Sequence, residues 1–169
     1  RGPQPAGRLP IGVSAPPPRV FVAGVPYPHP VGRAREKTGL HEPCQIATAS
    51  VAGNPVVLAC MDFAFLGGSL GSGAGEIFAQ GCEIAVAERR ALVAVCTSGG
   101  ARMQEGIASL AKMARCSSAV SEIIESRLPY VCIVGDPCFG GVTASYAVQS
   151  DVIIAGPGRP NGSWWGGVL

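Results

Sequence analysis

The sequence predicts an α/β fold built on parallel strands. Two short apolar runs rich in β-formers, residues 91–96 and 130–134, each lead into a glycine pair and then into a segment with helical spacing. A third run, 151–155, comes after the second of these units. Strand, glycine corner, helix and strand thus recur, the pattern of crossover units with parallel strands. The 24 glycines among 169 residues fit a chain with many close turns.

In chain order, residues 1–35 are rich in Pro, Gly and Arg. Apart from a short apolar run at 19–23 they show no period, so an extended arm is expected there. Arg content without acid resembles the remnant of an organelle transit region; a partner-binding arm has the same composition. The runs 46–51 and 56–61 flank Gly53-Asn54-Pro55 and predict a hairpin. Almost every residue of the loop 67–75 is small. It serves either as a flexible connection or as bare backbone against which a nucleotide or pantetheine lies. A helix over 75–90 presents Ile77, Phe78, Cys82, Ile84 and Ala85, and Arg89 and Arg90 complement its negative end. A second helix, 104–127, carries Ile107, Leu110, Ala111, Ala114, Val120 and Ile124 at helical spacing and stops before Pro129. Its other face, with Lys112 and Arg115, meets water or a partner. The last helix covers 142–149, with Thr143 or Ser145 satisfying its early amides.

Mean hydropathy is positive, +0.32, with 47% apolar and 14% charged residues. Such a chain buries much of its surface or meets a partner, and 169 residues suffice for one domain with a core. No apolar run reaches the length of a membrane span. The net charge of +2 hides a split: Arg1, Arg8, Arg19, Arg33 and Arg35 take five of the 13 bases, leaving eight against all 11 acids from Glu36 onward. That mildly acidic body argues against nucleic-acid binding. Seven scattered cysteines (Cys44, Cys60, Cys82, Cys96, Cys116, Cys132 and Cys138), an odd number without a Cys-x-x-Cys, argue for reduced thiols. Cys96 and Cys132 suit small core positions. Cys138 lies in the second glycine corner, but no His is placed to activate it. His29 and His41 fit the surface.

The chemistry concentrates in the corners. The string Ser98-Gly99-Gly100-Ala101-Arg102-Met103-Gln104-Glu105-Gly106 stands between a strand and a helix start, where backbone amides lack helical partners. Glycine admits a substrate oxygen close to those amides, and two N–H groups on one oxygen make an oxyanion hole. A plain tight turn satisfies the same dipeptide. The second corner, Asp136-Pro137-Cys138-Phe139-Gly140-Gly141-Val142-Thr143-Ala144-Ser145, ends the next strand and so faces the same sheet edge, where clefts form.

These strings, with Met61-Asp62-Phe63-Ala64-Phe65-Leu66-Gly67-Gly68-Ser69-Leu70-Gly71-Ser72 and the leading Lys37-Thr38-Gly39-Leu40, resemble the β subunit of acetyl-CoA carboxylase carboxyltransferase. The resemblance runs from about Lys37 to Gly158. It implies a crotonase-like (ClpP/crotonase) fold, a repeated ββα spiral, truncated here, with an arm at 1–35, the carboxyltransferase domain at 36–158 and a divergent tail at 159–169. Trp164 and Trp165 in that tail suit docking. The family's four-cysteine zinc ribbon does not stand in this sequence, and no metal is expected. Cys138 replaces the family's usual Thr.

The implied reaction moves a carboxyl group from carboxybiotin, on a carrier protein, to acetyl-CoA. Gly99 and Gly100 would form one oxyanion hole, Gly140 and Gly141 the other. Gly67, Gly68, Ser69, Gly71, Ser98, Ala101, Arg102 and Met103 would line the substrate. Arg102 and Glu105 would shape the mouth of the site, or form a local ion pair. Arg89 and Arg90 would only cap their helix, or reach a CoA phosphate. The implied partners are a homologous α subunit and the biotin carrier protein, in a plastid, a mitochondrial matrix or a bacterial cytoplasm. The Pro/Arg arm, the altered tail and the Cys138-Phe139 replacement suggest a second reading: a catalytically inactive descendant serving a larger assembly.

Overall fold

The computed structural model describes residues 28–155 as one run, together with strand segments at 7–8, 21–22, 25–26 and 161–162. In order these are β1 (Gly7–Arg8), β2 (Phe21–Val22), β3 (Val25–Pro26), α1 (Pro28–Thr38), β4 (Cys44–Val51), β5 (Asn54–Met61), α2 (Ser72–Ala87), β6 (Ala91–Ser98), α3 (Ile107–Glu125), β7 (Tyr130–Phe139), α4 (Gly140–Ser145), β8 (Val152–Ala155) and β9 (Asn161–Gly162). One sheet runs β1-β4-β5-β6-β7-β8, with β9 beside the end of β7. From β5 to β8 it is parallel, as the repeated strand–helix plan predicts. The β4–β5 hairpin is antiparallel. The tail at 159–169 lies outside the described residues except for β9.

Three expectations on local structure need correction. The arm at 1–35 gives way to helix α1 at residue 28; the preceding residues lie outside the described ones except for β1, β2 and β3. Pro28 and Pro30 stand in the first helical turn, where a missing N–H costs nothing, and Val31 and Ala34 are buried beside Phe65. The hairpin turn is Ala52-Gly53, both at positive φ (50° and 85°), with Asn54 and Pro55 already in β5. Two left-handed residues match the twist of the flanking strands. Helix α2 starts at Ser72, not near Gly75, for a reason found at the site below.

Helices α2 and α3 pack together over the sheet. Ile77, Phe78, Cys82 and Ala85 of α2 and Cys116, Ala119, Val120 and Ile123 of α3 share a core with Val57, Ala59, Leu92, Ala94, Tyr130 and Cys132 of the strands. The expected inward face of α3 is corrected here. Val120 is buried, but Ile107 is 84% exposed, Leu110 58% exposed, and Ala111, Ala114 and Ile124 also face out. Ser109, Cys116, Ala119, Val120 and Ile123 point inward, with small residues where the helices approach most closely: a Cβ on Gly75 would lie 2.7 Å from Lys112 Cβ. The apolar period therefore marks a face that nothing among the described residues covers. Across the outer seam Glu76 bonds Lys112 Nζ at 2.8 Å and also pairs with Arg115, which reaches Glu83 as well.

This packing generates two predictions. A Cβ on Gly68, at φ 61°, would fall 2.1 Å from the Thr97 carbonyl oxygen, so Gly68→Ala should cost more than about 2 kcal/mol in urea unfolding. The hydrogen bond from Lys112 holds the Glu76 carboxyl below its ordinary value of 4.5. That pair's contribution is present above the ordinary value and lost as pH falls through the lowered one. Glu76→Gln should flatten the acid side of the stability–pH curve, with a loss near neutrality of about 0.5–1 kcal/mol.

Candidate active site

Strands β6 and β7 are parallel neighbours, so both glycine corners stand at one sheet edge, and they touch. A Cβ on Gly100 would lie 3.4 Å from Phe139 O, 3.5 Å from Gly141 N and 3.6 Å from Gly140 Cα. Both Gly100 (φ 113°) and Gly140 (φ 58°) sit where L side chains are strained.

The corners differ in how soon a helix begins after each. Beyond β6 the chain makes a 3-10 turn at Met103–Glu105 before α3 begins at Ile107. Gly99 and Gly100 are thus not helix-terminal residues, and their amides are bonded inside the chain. Gly99 N–H donates to Gly67 O at 2.8 Å, and Gly100 N–H donates to Ser98 Oγ at 3.0 Å. The hole expected at this pair is therefore not a set of open donors. Beyond β7, by contrast, α4 begins at once. The amides of 140–143 have no acceptor within the helix, and the residue before it, Phe139, offers no side-chain cap. Thr143 does not cap: its hydroxyl donates to Cys138 O at 3.2 Å. Ser145 Oγ is buried and has no hydrogen-bond partner among the described residues.

Of the expected substrate-lining residues, few reach a surface. Gly67 has only the Phe63 ring within 4 Å of its would-be Cβ, Met103 is 86% exposed, and Ala101 is half-buried against Gly141. Ser69 is half-buried with its hydroxyl on Arg102; Gly68, Gly71, Ser98 and Arg102 are buried, which corrects their expected place. The Gly68 space is filled by the Thr97 carbonyl, and Ser98 Oγ, fully buried, donates to Gly68 O at 2.6 Å. A Cβ on Gly71 would strike Arg102 Nη1 at 2.5 Å.

Arg102 itself is 2% exposed. Its Nε donates to Ser69 Oγ at 3.1 Å, Nη2 donates to Ser69 O at 3.1 Å, and Nη1 donates to Glu105 Oε1 at 2.9 Å. A second carboxylate, Glu42 Oε2, lies 3.3 Å from Nη2, and the Phe65 ring packs against the guanidinium. The expected local ion pair is real, but it belongs to a buried network. Glu105 Oε2 accepts from Ser72 N–H and Ser72 Oγ, both at 2.6 Å. That carboxylate caps α2 from 33 residues away, which is why α2 starts at Ser72. Glu42 is 3% exposed, and burial pushes its carboxyl above the usual range despite Arg102. Sequence reasoning missed Glu42, Ser72 and Ser109. The available signal was Gly71 and Gly73 at a helix start, residues costly there unless bulky groups fill the space.

Over residues 33–158 the chain matches the carboxyl transferase domain family, a span that includes Glu42, the glycine loop and both corners. It belongs to that family. It is 51% identical over 142 residues to acetyl-coenzyme A carboxylase carboxyl transferase subunits beta/alpha of Salinispora tropica, covering 84% of this chain and 25% of that protein. To the subunit beta of Rubrobacter xylanophilus it is 51% identical over 132 residues, 78% of this chain and 51% of that one. The chain thus spans between a quarter and about half of these relatives. A Pseudomonas malonate decarboxylase hetero-tetramer in complex with malonate aligns with TM-score 0.65 and 28% identity, covering 72% of this chain and 46% of that one. Transcarboxylase 12S, with methylmalonyl-coenzyme A bound, aligns with TM-score 0.61 and 32% identity over 66% of this chain and 22% of that one. The fold is crotonase-like, as the resemblance implied.

In this carboxyl transferase domain the seven thiols are unbridged. Burial raises the Cys138 thiol and pushes Cys116 up to about 12, so neither is a ready nucleophile. Among the described residues no three metal-ligating side chains converge. Arg90 pairs with Glu88. Arg102→Met would remove the buried cation that Glu42 and Glu105 share, and chemical denaturation should show a loss of about 3–5 kcal/mol.

Proposed function

We propose that this chain is a carboxyltransferase β-type subunit moving a carboxyl group from carboxybiotin to acetyl-CoA. The observation that carries the reading is the start of α4 at Gly140, on the sheet edge and against Gly100. Carboxybiotin on a carrier protein supplies the carboxyl group and, once it is lost, a base for the acetyl proton. The residues fit such a substrate: Gly140 is exposed, and among the described residues a Cβ there would meet only Gly100 Cα, at 3.5 Å, within 4 Å. A carbonyl oxygen can therefore approach the first amides of α4 from the open side. Those amides hold the negative charge of one of the two reacting oxygens, the thioester enolate or the biotin ureido oxygen. Gly99 and Gly100 back them as a wall without side chains. Donors for the second oxygen fall to a homologous α subunit, in keeping with the relatives named subunits beta/alpha. No titratable side chain of this chain is required, which suits corners made of glycine.

Relatives named carboxyl transferase subunits support this over an inactive assembly role. The unbridged thiols support a reducing compartment, a plastid, a mitochondrial matrix or a bacterial cytoplasm. The test is malonyl-CoA formation from carboxybiotin and acetyl-CoA by the chain assembled with its α partner. Gly140→Val, which puts a branched side chain at the open approach, should lower the rate per folded molecule about 100-fold or more, beyond the stability lost to a side chain at φ 58°. Wild-type turnover in that variant would remove α4 from the site.

A further inference from the structure

We infer that Glu42 is a positioning residue for carboxyl transfer: through the Arg102 guanidinium it holds the 98–102 turn in register against the start of α4. The inference rests on the functional reading above and assigns a role to a residue ahead of the first strand of the hairpin. Arg102 belongs to the corner by its backbone, with N–H donating to Leu70 O at 2.9 Å and to Ser109 Oγ at 3.0 Å. Leu70 N–H in turn donates to Gly100 O at 2.8 Å. The guanidinium is gripped from three sides. Ser69 of the glycine loop takes two of its hydrogen bonds. Glu105 is three residues away on the same turn and ties it to the start of α2 through Ser72. Glu42 comes from 60 residues upstream and is flanked by Arg35 of α1 at 3.8 Å. It is a charged anchor from outside the turn, tied to the start of the hairpin.

The fold makes room for this carboxylate at a cost in helix propensity. A Cβ on Gly73 of α2 would lie 2.6 Å from Glu42 Cδ, so even a methyl group displaces it. A Cβ on Gly100 would come into contact with the Phe139 carbonyl at 3.4 Å and the Gly141 amide at 3.5 Å, so the register of the turn sets how its bare backbone faces the amides that receive the oxygen. A residue acting this way alters the barrier more than it alters binding.

The experiment uses the full chain assembled with its α partner, in the forms wild type, Glu42→Gln and Gly73→Ala. Steady-state malonyl-CoA formation is measured beside amide hydrogen exchange of peptides covering 98–106. Both variants should lose about tenfold or more in kcat, with KM for acetyl-CoA within about threefold of wild type. Exchange across 98–106 should rise about tenfold or more while the 116–123 segment of α3 keeps its protection. Glu42→Asp, which keeps the charge, should recover part of both losses. Wild-type exchange in Glu42→Gln overturns the inference, as does faster exchange with unchanged kcat, or a KM effect alone. A wild-type assembly that forms no malonyl-CoA sinks the functional reading instead, and the exchange of 98–106 then decides whether Glu42 holds the turn.

Discussion

One buried guanidinium organises this domain. Arg102 is desolvated, so its charge has to be met by partners fixed in place. It receives them from two distant parts of the chain, Glu42 before β4 and Ser69 in the glycine loop, and from Glu105 on its own turn. Much of the local sequence then becomes intelligible. Gly71 and Gly73 are glycine because the guanidinium and the Glu42 carboxylate occupy the space a Cβ would need. Helix α2 begins where it does because the second oxygen of Glu105 caps it. Ser109, at the start of α3, accepts the Arg102 amide and donates to Leu70 O. Removing the cation would leave not one defect but several.

Around that anchor, the two glycine corners have divided their tasks. Their sequences look alike, and both end parallel strands. What separates them is the distance to the next helix. A 3-10 turn intervenes after Gly99-Gly100, so their amides fold back on Gly67 and Ser98. Nothing intervenes after Phe139, so the second pair supplies the amides of a helix terminus. One corner is a wall and the other a donor set. The two stand close together at one sheet edge.

Much of the architecture was legible in the chain. The runs 91–96 and 130–134, each leading to a glycine pair and a helical period, announced a parallel sheet with its corners at one edge. The β4–β5 hairpin was legible too, displaced by a residue or two because Ala52 accepts a left-handed conformation that sequence rules reserve for glycine or asparagine. Helix α3 was found but turned the wrong way. Its apolar stripe at Ile107 and Leu110 faces out, and small residues face α2, since close helix approach selects for size before hydrophobicity. Prolines hid α1, although Pro in a first turn is compatible with a helix.

The sequence by itself determined the succession of strands and helices, the glycine corners and their shared edge, because these arise from periodicity, β-propensity and the parallel rule, all local or nearly so. Tertiary structure alone decided which corner has its amides bonded inside the chain, which glycines make room for the chain's own side chains, and that Glu42 meets Arg102. Those are pairings across 30 to 60 residues. A hydrogen-bond or ion-pair partner at that separation leaves no period or spacing in the chain, only a pattern of vacated Cβ positions whose occupants appear when the fold closes.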